Sequence, residues 1–168
     1  MSAKEPQLYV LVLVLMMGVV VVAWGGGLFG QTEPWFLQWQ HQAFAGLCHQ
    51  LPERSFWIGG QPMAVCSRCF GIYTGFLLGW FLLPSMALIK QEAYLPSKKI
   101  LLAAVILNFA DVFGNLLGFW QNTLVSRLIL GWFVGISAAL LFSGAFFIIK
   151  NKQTEGYYGR NRSTGARG

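Results

Sequence analysis

The three cysteines of the chain lie close together in the sequence, beside one of its two histidines. Cys48 and His49 are adjacent, and Cys66 and Cys69 form a C-x-x-C pair that encloses Arg68. On a helix or a tight turn, sulfurs three residues apart face the same way, so they can reach one metal ion or each other. This clustering is the strongest indication of chemistry in the sequence.

Three kinds of chemistry fit this cluster. A closed site for zinc or another thiophilic metal ion needs four soft or borderline ligands, which are available here as Cys48, His49, Cys66 and Cys69. A thiol redox enzyme would use Cys48, Cys66 and Cys69, with Arg68 lowering the pKa of a neighbouring thiol. The third possibility is a structural disulfide with one idle cysteine. A c-type haem is not expected, because Phe70 stands where C-x-x-C-H requires histidine.

A second polar feature lies inside an apolar segment. Asn108, Asp111 and Asn115 are spaced by three and four residues, so they share one face of a helix. An acidic side chain within a membrane costs about 2.5 to 3.5 kcal/mol on insertion scales, so it normally faces the protein interior and pairs with a cation. We expect Arg127 to be that cation in a structural clamp between two helices, with Arg68 as the rival. A proton relay or ligand pocket would use the same stripe.

The elements that must position these residues are four apolar runs. The 168 residues are 55% hydrophobic and 11% charged, and about 20 apolar residues suffice to cross a bilayer core. Runs near this length extend over Leu8–Phe29, Phe70–Ile89, Ile100–Trp120 and Leu128–Ile149. We therefore predict an all-α, polytopic membrane protein with four transmembrane helices. The first run is longer than a signal-peptide core, so we expect it to be retained, with Gly25–Gly27 as the alternative cleavage region.

The basic residues predict the topology. One side of the membrane has only Arg54, Arg68 and Arg127. The other nine basic residues fall on the opposite side: Lys4, Lys90, Lys98, Lys99, Lys150, Lys152, Arg160, Arg162 and Arg167. By the positive-inside rule, both termini are cytoplasmic at an inner (cytoplasmic) membrane, and the cysteine loop faces outward. The net charge of +6 is then mostly topological, and we expect the basic tail to meet anionic lipid of the bilayer, not nucleic acid.

The bounds of the four apolar runs divide the chain into four regions. They are an N-terminal transmembrane anchor helix (1–30), an exoplasmic loop with the Cys/His cluster (31–68), a three-helix transmembrane bundle (69–149) and a basic cytoplasmic tail (150–168). Within the loop, aromatic residues alternating with glutamines over 34–47 predict a helix lying flat at the membrane interface, with an irregular aromatic belt as the alternative.

Small residues at four-residue spacing predict how the bundle packs. Such stripes allow helix backbones to approach closely in lipid, where the hydrophobic effect does not drive helices together. They occur in the last three runs as Gly71, Gly75 and Gly79; as Ala110, Gly114 and Gly118; and as Gly131, Gly135, Ala139 and Ser143.

The runs CHQLPERSF and CSRCFGIYTG resemble the signature of a family of small predicted membrane proteins of bacteria and archaea, known as domain of unknown function 2085. The resemblance extends from Cys48 to roughly Gly135. The later positions that carry it are Asp111, Gly114, Asn122, Arg127 and Gly131. It implies a polytopic membrane protein with a cysteine-rich signature, and it implies no particular reaction.

Three functions remain open from the sequence. The leading hypothesis is an inner-membrane protein whose outer-face cysteines and His49 bind a metal ion such as zinc. The enzymatic alternative is a quinone-linked thiol-disulfide oxidoreductase that uses the same cysteines. The third is an accessory subunit of a larger membrane protein complex, in which the small-residue stripes and the aromatic loop are partner surfaces.

Overall fold

The computed structural model describes residues 6–89 and 97–146, and this part of the chain is mostly helical. The helices are α1 (Pro6–Ala23), α2 (Trp39–Phe44), α3 (Ser67–Ile89), α4 (Ser97–Leu116) and α5 (Leu124–Phe146). Each of the four long helices covers most of one predicted apolar run. Lys4, Lys90 and the predicted basic tail lie outside the described residues.

Two of the long helices meet the length and hydropathy of a membrane span over their described residues. The spans are Lys98–Leu116 in α4 and Leu124–Phe142 in α5, whereas the apolar part of α1, Gln7–Ala23, is shorter. Both helices present large exposed apolar side chains, among them Leu102, Phe109 and Phe133. Extensive apolar surface of this kind suits contact with lipid or protein better than contact with water.

Helices α3 and α5 pack together more extensively than any other pair of described elements. The contact runs along their glycines. A Cβ built on Gly71 would lie 3.1 Å from the Cα of Gly131, and one built on Gly79 would lie 2.9 Å from the Cβ of Ala139. Backbones approach this closely only where no side chain separates them. The glycines therefore fix the level of α3 against α5.

The small residues spaced by four in α4 have different neighbours from those of α3 and α5. Helix α4 ends at Leu116, and the chain turns at Gly118, whose φ of +76° favours glycine. Trp120 folds back so that its ring fills the space beside Gly114. The prediction that the third helix continues to Trp120 is therefore wrong at its end, because the left-handed turn at Gly118 reverses the chain.

Helix α1 is joined to α3 by a reciprocal pair of aromatic side chains. The hydroxyl of Tyr9 donates a hydrogen bond to the Trp80 carbonyl at 3.1 Å, and the indole of Trp80 donates one to the Tyr9 carbonyl at 3.2 Å. The two rings stack with their centroids 5.6 Å apart. These paired bonds hold the amino-terminal half of α1 against the middle of α3.

Residues 24–66, which we call the loop lobe, fold across the ends of α1 and α3. The lobe contains an antiparallel hairpin of β1 (Trp57–Ile58) and β2 (Gln61–Pro62). Its turn residues, Gly59 and Gly60, both have positive φ, as a two-residue type I′ turn requires. The all-α prediction missed this hairpin, because two-residue strands leave almost no alternation to detect.

The predicted interfacial segment forms a short 3₁₀ turn followed by the six-residue helix α2. Its polar residues Gln38, Gln40 and His41 are buried, and its aromatic residues Phe36 and Trp39 are exposed. The buried amide of Gln38 accepts a hydrogen bond from the Gly26 N–H at 3.0 Å and donates to the Glu33 carbonyl at 3.0 Å. Gln38 thus holds the lobe together from inside, while the rings of Phe36 and Trp39 lie on its outer surface.

Replacing Gly131 by alanine should weaken the α3–α5 contact. The added Cβ would overlap the Arg68 carbonyl oxygen, which belongs to helix backbone and cannot move independently. We expect a loss of about 1 to 3 kcal/mol in the free energy of unfolding, measured in detergent. Gly18→Ala is the matched control in α1, since nothing lies within 4 Å of a Cβ added there. Equal stability of the two variants would contradict this packing.

Acid should destabilise the loop lobe through His41. Burial lowers the pKa of this imidazole in the folded protein, and the Pro62 carbonyl offsets part of the shift. The unfolded chain therefore takes up a proton at a pH where the folded chain does not, so stability falls as pH falls through the ordinary value of about 6.5. In His41→Phe, the midpoint of thermal unfolding should drop less between about pH 7.5 and about pH 5.5 than in the wild type.

Gln42, an exposed neighbour of His41 in α2, provides the control for this measurement. Gln42→Ala should keep the acid sensitivity of the wild type, because this substitution removes no titratable group. Undiminished acid sensitivity in His41→Phe would show that another group is responsible.

Candidate metal centre and the cavity beside it

Three sulfurs meet where the loop lobe joins α3. The Sγ atoms of Cys48, Cys66 and Cys69 all lie within 4.8 Å of one another, and those of Cys66 and Cys69 are 3.4 Å apart. All three are free thiols, so the predicted structural disulfide is not present among the described residues. Thiolates bound tetrahedrally to zinc at about 2.3 Å stand about 3.8 Å from each other. Small side-chain movements would therefore close this group around one ion.

The backbone explains how residues so far apart in sequence come together. Cys66 immediately precedes α3 and Cys69 lies in its first turn, where the Phe70 N–H donates to the Cys66 carbonyl at 3.0 Å. Cys48 follows α2, and its Sγ accepts a hydrogen bond from the Cys66 N–H at 3.2 Å. One amide thus links the loop cysteine to the helix that carries the other two.

The thiols of this cluster differ in acidity. Hydrogen bonds from the Cys48 and Cys69 side chains stabilise a thiolate at Cys66 and hold its pKa well below the ordinary value. The same interaction with Cys66 raises the pKa of Cys48. Cys66 also lies at the positive end of the α3 dipole, which favours its ionised form. An ionised sulfur is a good ligand for a metal cation.

His49 does not join the sulfurs. Its side chain is exposed and lies outside the group of ligand atoms that approach within 4.8 Å. It does line the cavity that Cys66 and Cys69 also border. Of the four predicted metal ligands, the structure brings together the three cysteines and places the histidine nearby.

The cavity beside the cysteines has a volume of about 510 Å³. Its polar wall combines residues from the loop lobe and all three helices of the bundle: His49, Arg54, Cys66, Arg68, Cys69, Asn115, Asn122 and Arg127. The rest of the wall is aliphatic, with Leu51, Ile72, Val112 and Leu116. Its basic residues are the three that the positive-inside rule assigned to one side of the membrane.

Asp111 forms an ion pair with Arg68, so the prediction that Arg127 is its partner is wrong. The side-chain amide of Asn122 donates a second hydrogen bond to the same carboxylate oxygen at 2.6 Å. Helical spacing identifies the face that Asp111 occupies, but it does not give the level at which α3 and α5 meet that face. The glycine contacts set the level of α3 against α5, and the bond from Asn108 to the Leu130 carbonyl sets the level of α4 against α5. Together they place Arg68 within reach of the carboxylate.

The two asparagines of the predicted stripe have separate roles. The side-chain amide of Asn108 donates to the Leu130 carbonyl of α5 at 3.0 Å and to the Ala104 carbonyl of its own helix at 3.1 Å. Asn115 lines the cavity. The stripe therefore faces the protein interior, as the cost of placing polar groups in lipid requires.

Sequence reasoning did not assign a role to two residues of this site. Asn122 bonds the Asp111 carboxylate, and Arg54 lines the cavity. Asn122 lies in the short connection between α4 and α5, where a polar residue is ordinary. Its spacing from Asp111 gives no helical signal, because the chain reverses between them.

The chain matches one protein family and two archaeal relatives. The family, described as predicted membrane protein (DUF2085), matches residues 48–141. An uncharacterised protein of Methanocaldococcus jannaschii is 36% identical over 107 residues, which cover 64% of this chain and 68% of the relative. An uncharacterised protein of Methanothermobacter thermautotrophicus is 39% identical over 101 residues, covering 58% of this chain and 86% of the relative. No solved structure matches.

A double-mutant cycle can test which arginine holds Asp111. Combining Asp111→Asn with Arg68→Gln should reveal a coupling energy of about 0.5 to 3 kcal/mol in the free energy of unfolding, because contacting charges do not act independently. The matched cycle with Arg127→Gln should give a smaller value. A larger coupling with Arg127 would restore the pairing expected from the sequence.

Proposed function

Since the chain belongs to the DUF2085 family of predicted membrane proteins, we propose that it is a multi-pass membrane protein whose Cys48, Cys66 and Cys69 bind a thiophilic metal ion such as zinc. The convergence of three sulfurs within 4.8 Å carries this proposal. These residues come from two separate segments, so chance proximity along the chain does not explain it. Soft thiolate donors select zinc and other thiophilic ions over magnesium or calcium.

Three protein ligands leave the fourth position of a tetrahedral ion open. A closed structural site would fill this position with a fourth protein ligand, and His49 borders the same cavity as two of the cysteines. An open position would instead admit water or a small ligand from the cavity, as in catalytic zinc sites. We propose that the thiolates are sufficient to hold the ion and that His49 adds affinity.

The proposed topology has four membrane crossings, both termini in the cytoplasm and the loop lobe outside the inner membrane. Two observations support it. Arg54, Arg68 and Arg127 line one cavity and therefore lie at one end of the helices, whereas Lys98 and Lys99 begin α4 at its other end. The exposed apolar faces of the helices would then contact lipid or the other subunits of a membrane complex.

A quinone-linked thiol oxidase is the second candidate. The 3.4 Å separation of the Cys66 and Cys69 sulfurs and the stabilised thiolate at Cys66 favour it. Forming an S–S bond between these two thiols would release two electrons and two protons, which would reduce a quinone to a quinol. The metal site remains the first proposal because the third sulfur, that of Cys48, lies within 4.8 Å of both of the others.

Metal analysis of protein purified under reducing conditions tests the proposal. We expect about one equivalent of a thiophilic ion per chain, lost in Cys66→Ser because one of three thiolates is removed. His49→Ala is the matched control and should retain about one equivalent with weaker affinity. Metal-free protein that forms a Cys66–Cys69 disulfide once the reductant is removed, and that reduces quinone with added dithiol, would support the oxidase in place of the metal site.

A further inference from the structure

We propose that the cavity beside the cysteines is a binding site for a phosphate group, with an apolar portion of the same ligand lying against its aliphatic wall. The site is formed by Arg54, Arg68 and Arg127. It does not require a bound metal ion, so the proposal stands separately from the function proposed above.

The first argument is the charge that the cavity leaves unbalanced. Three guanidinium groups line it, and only Arg68 has a carboxylate within 4 Å among the described residues, that of Asp111. Arg54 and Arg68 act on Arg127 with like charge, which Cys66 and Asp111 offset only in part. Fixed cations that repel each other in a partly enclosed site raise the local potential, which attracts an anion.

The second argument is the presence of buried donors without acceptors. The Nε atoms of Arg68 and Arg127 are buried and have no hydrogen-bond partner within the part of the chain that the structure describes. Buried polar groups nearly always have a partner in folded proteins, and an unpaired one indicates a missing water, ion or ligand. A phosphate oxygen would satisfy such a donor, and the planar guanidinium can offer it two parallel N–H groups.

The third argument concerns the size and composition of the cavity. A volume of about 510 Å³ lies within the range of small-molecule sites, roughly 300 to 1,000 Å³. Aliphatic residues line the cavity together with the arginines, among them Ile72 of α3 and Val112 of α4. A ligand with both a phosphate and an apolar part matches this division. An anionic phospholipid supplies both, whereas free phosphate supplies only the first.

Ligand binding can be measured as a rise in the midpoint of thermal unfolding of the full chain in neutral detergent. The three probes are phosphatidylglycerol, phosphatidylcholine and inorganic phosphate. We expect wild-type protein to be stabilised by phosphatidylglycerol more than by phosphatidylcholine, whose headgroup carries a cation. If only phosphatidylglycerol raises the midpoint, a lipid headgroup is the source of the phosphate. If inorganic phosphate also raises it and competes with the lipid for binding, the source is a free anion.

Arg54→Gln and Arg127→Gln should each weaken binding about tenfold or more, because each removes a charge-assisted hydrogen bond. Arg54 is exposed, so its replacement leaves the fold intact even if Arg127→Gln does not. Lys99→Gln, an exposed basic residue at the far end of α4, is the matched control and should bind like the wild type. Metal content is measured on the same samples, so the two proposals can fail independently.

Three results would overturn the phosphate site. They are wild-type protein that none of the probes stabilises, Arg54→Gln and folded Arg127→Gln that both bind as tightly as the wild type, and a Lys99→Gln variant that loses affinity as much as they do. The last result would show that binding responds to total basic charge and not to this cavity.

Discussion

The direct backbone contact between α3 and α5 determines how the functional side chains of these two helices stand relative to each other. In lipid, helices gain little from the hydrophobic effect, so close packing of backbone atoms must provide much of their attraction. At Gly131 the α5 backbone meets the carbonyl of Arg68, the residue just before Cys69. The glycine that keeps the helices together therefore also sets the height of the cysteines relative to Arg127. A wider gap would move the Cys69 thiol away from Arg127.

The candidate site places opposite charges side by side, so that each lowers the electrostatic cost of the other. A thiolate at Cys66 is negative, whereas the guanidiniums of the adjoining cavity are positive and repel one another. Placed side by side, the two groups partly neutralise each other, and Asp111 with Asn122 holds one arginine in place. A metal ion at the cysteines and an anion at the arginines, as proposed above, would therefore border the same cavity. An ion bound by the thiolates would face a cavity already suited to a negatively charged ligand.

The sequence was sufficient to locate the long helices, because apolar runs of membrane length leave few alternatives. It also identified the three cysteines that converge, and the interior face of the Asn108 to Asn115 stripe. It did not identify the partner of Asp111, since two arginines of equal chemistry were available and only the helix register distinguishes them. It also missed the hairpin around Gly59 and the reversal at Gly118. Both depend on backbone dihedral angles at single residues, to which hydrophobic periodicity is insensitive.

The loop lobe begins and ends at nearly the same point. The Ala64 N–H donates to the Ala23 carbonyl at 3.1 Å, so the chain leaves α1, forms the lobe and returns to its starting position before α3 begins. The distance between the two helix ends is thus independent of how much polypeptide the lobe contains. Extra residues at Gly30, where no atom lies within 4 Å of a built Cβ, could be accommodated without displacing either helix. A short epitope tag inserted there would report on which side of the membrane the lobe lies.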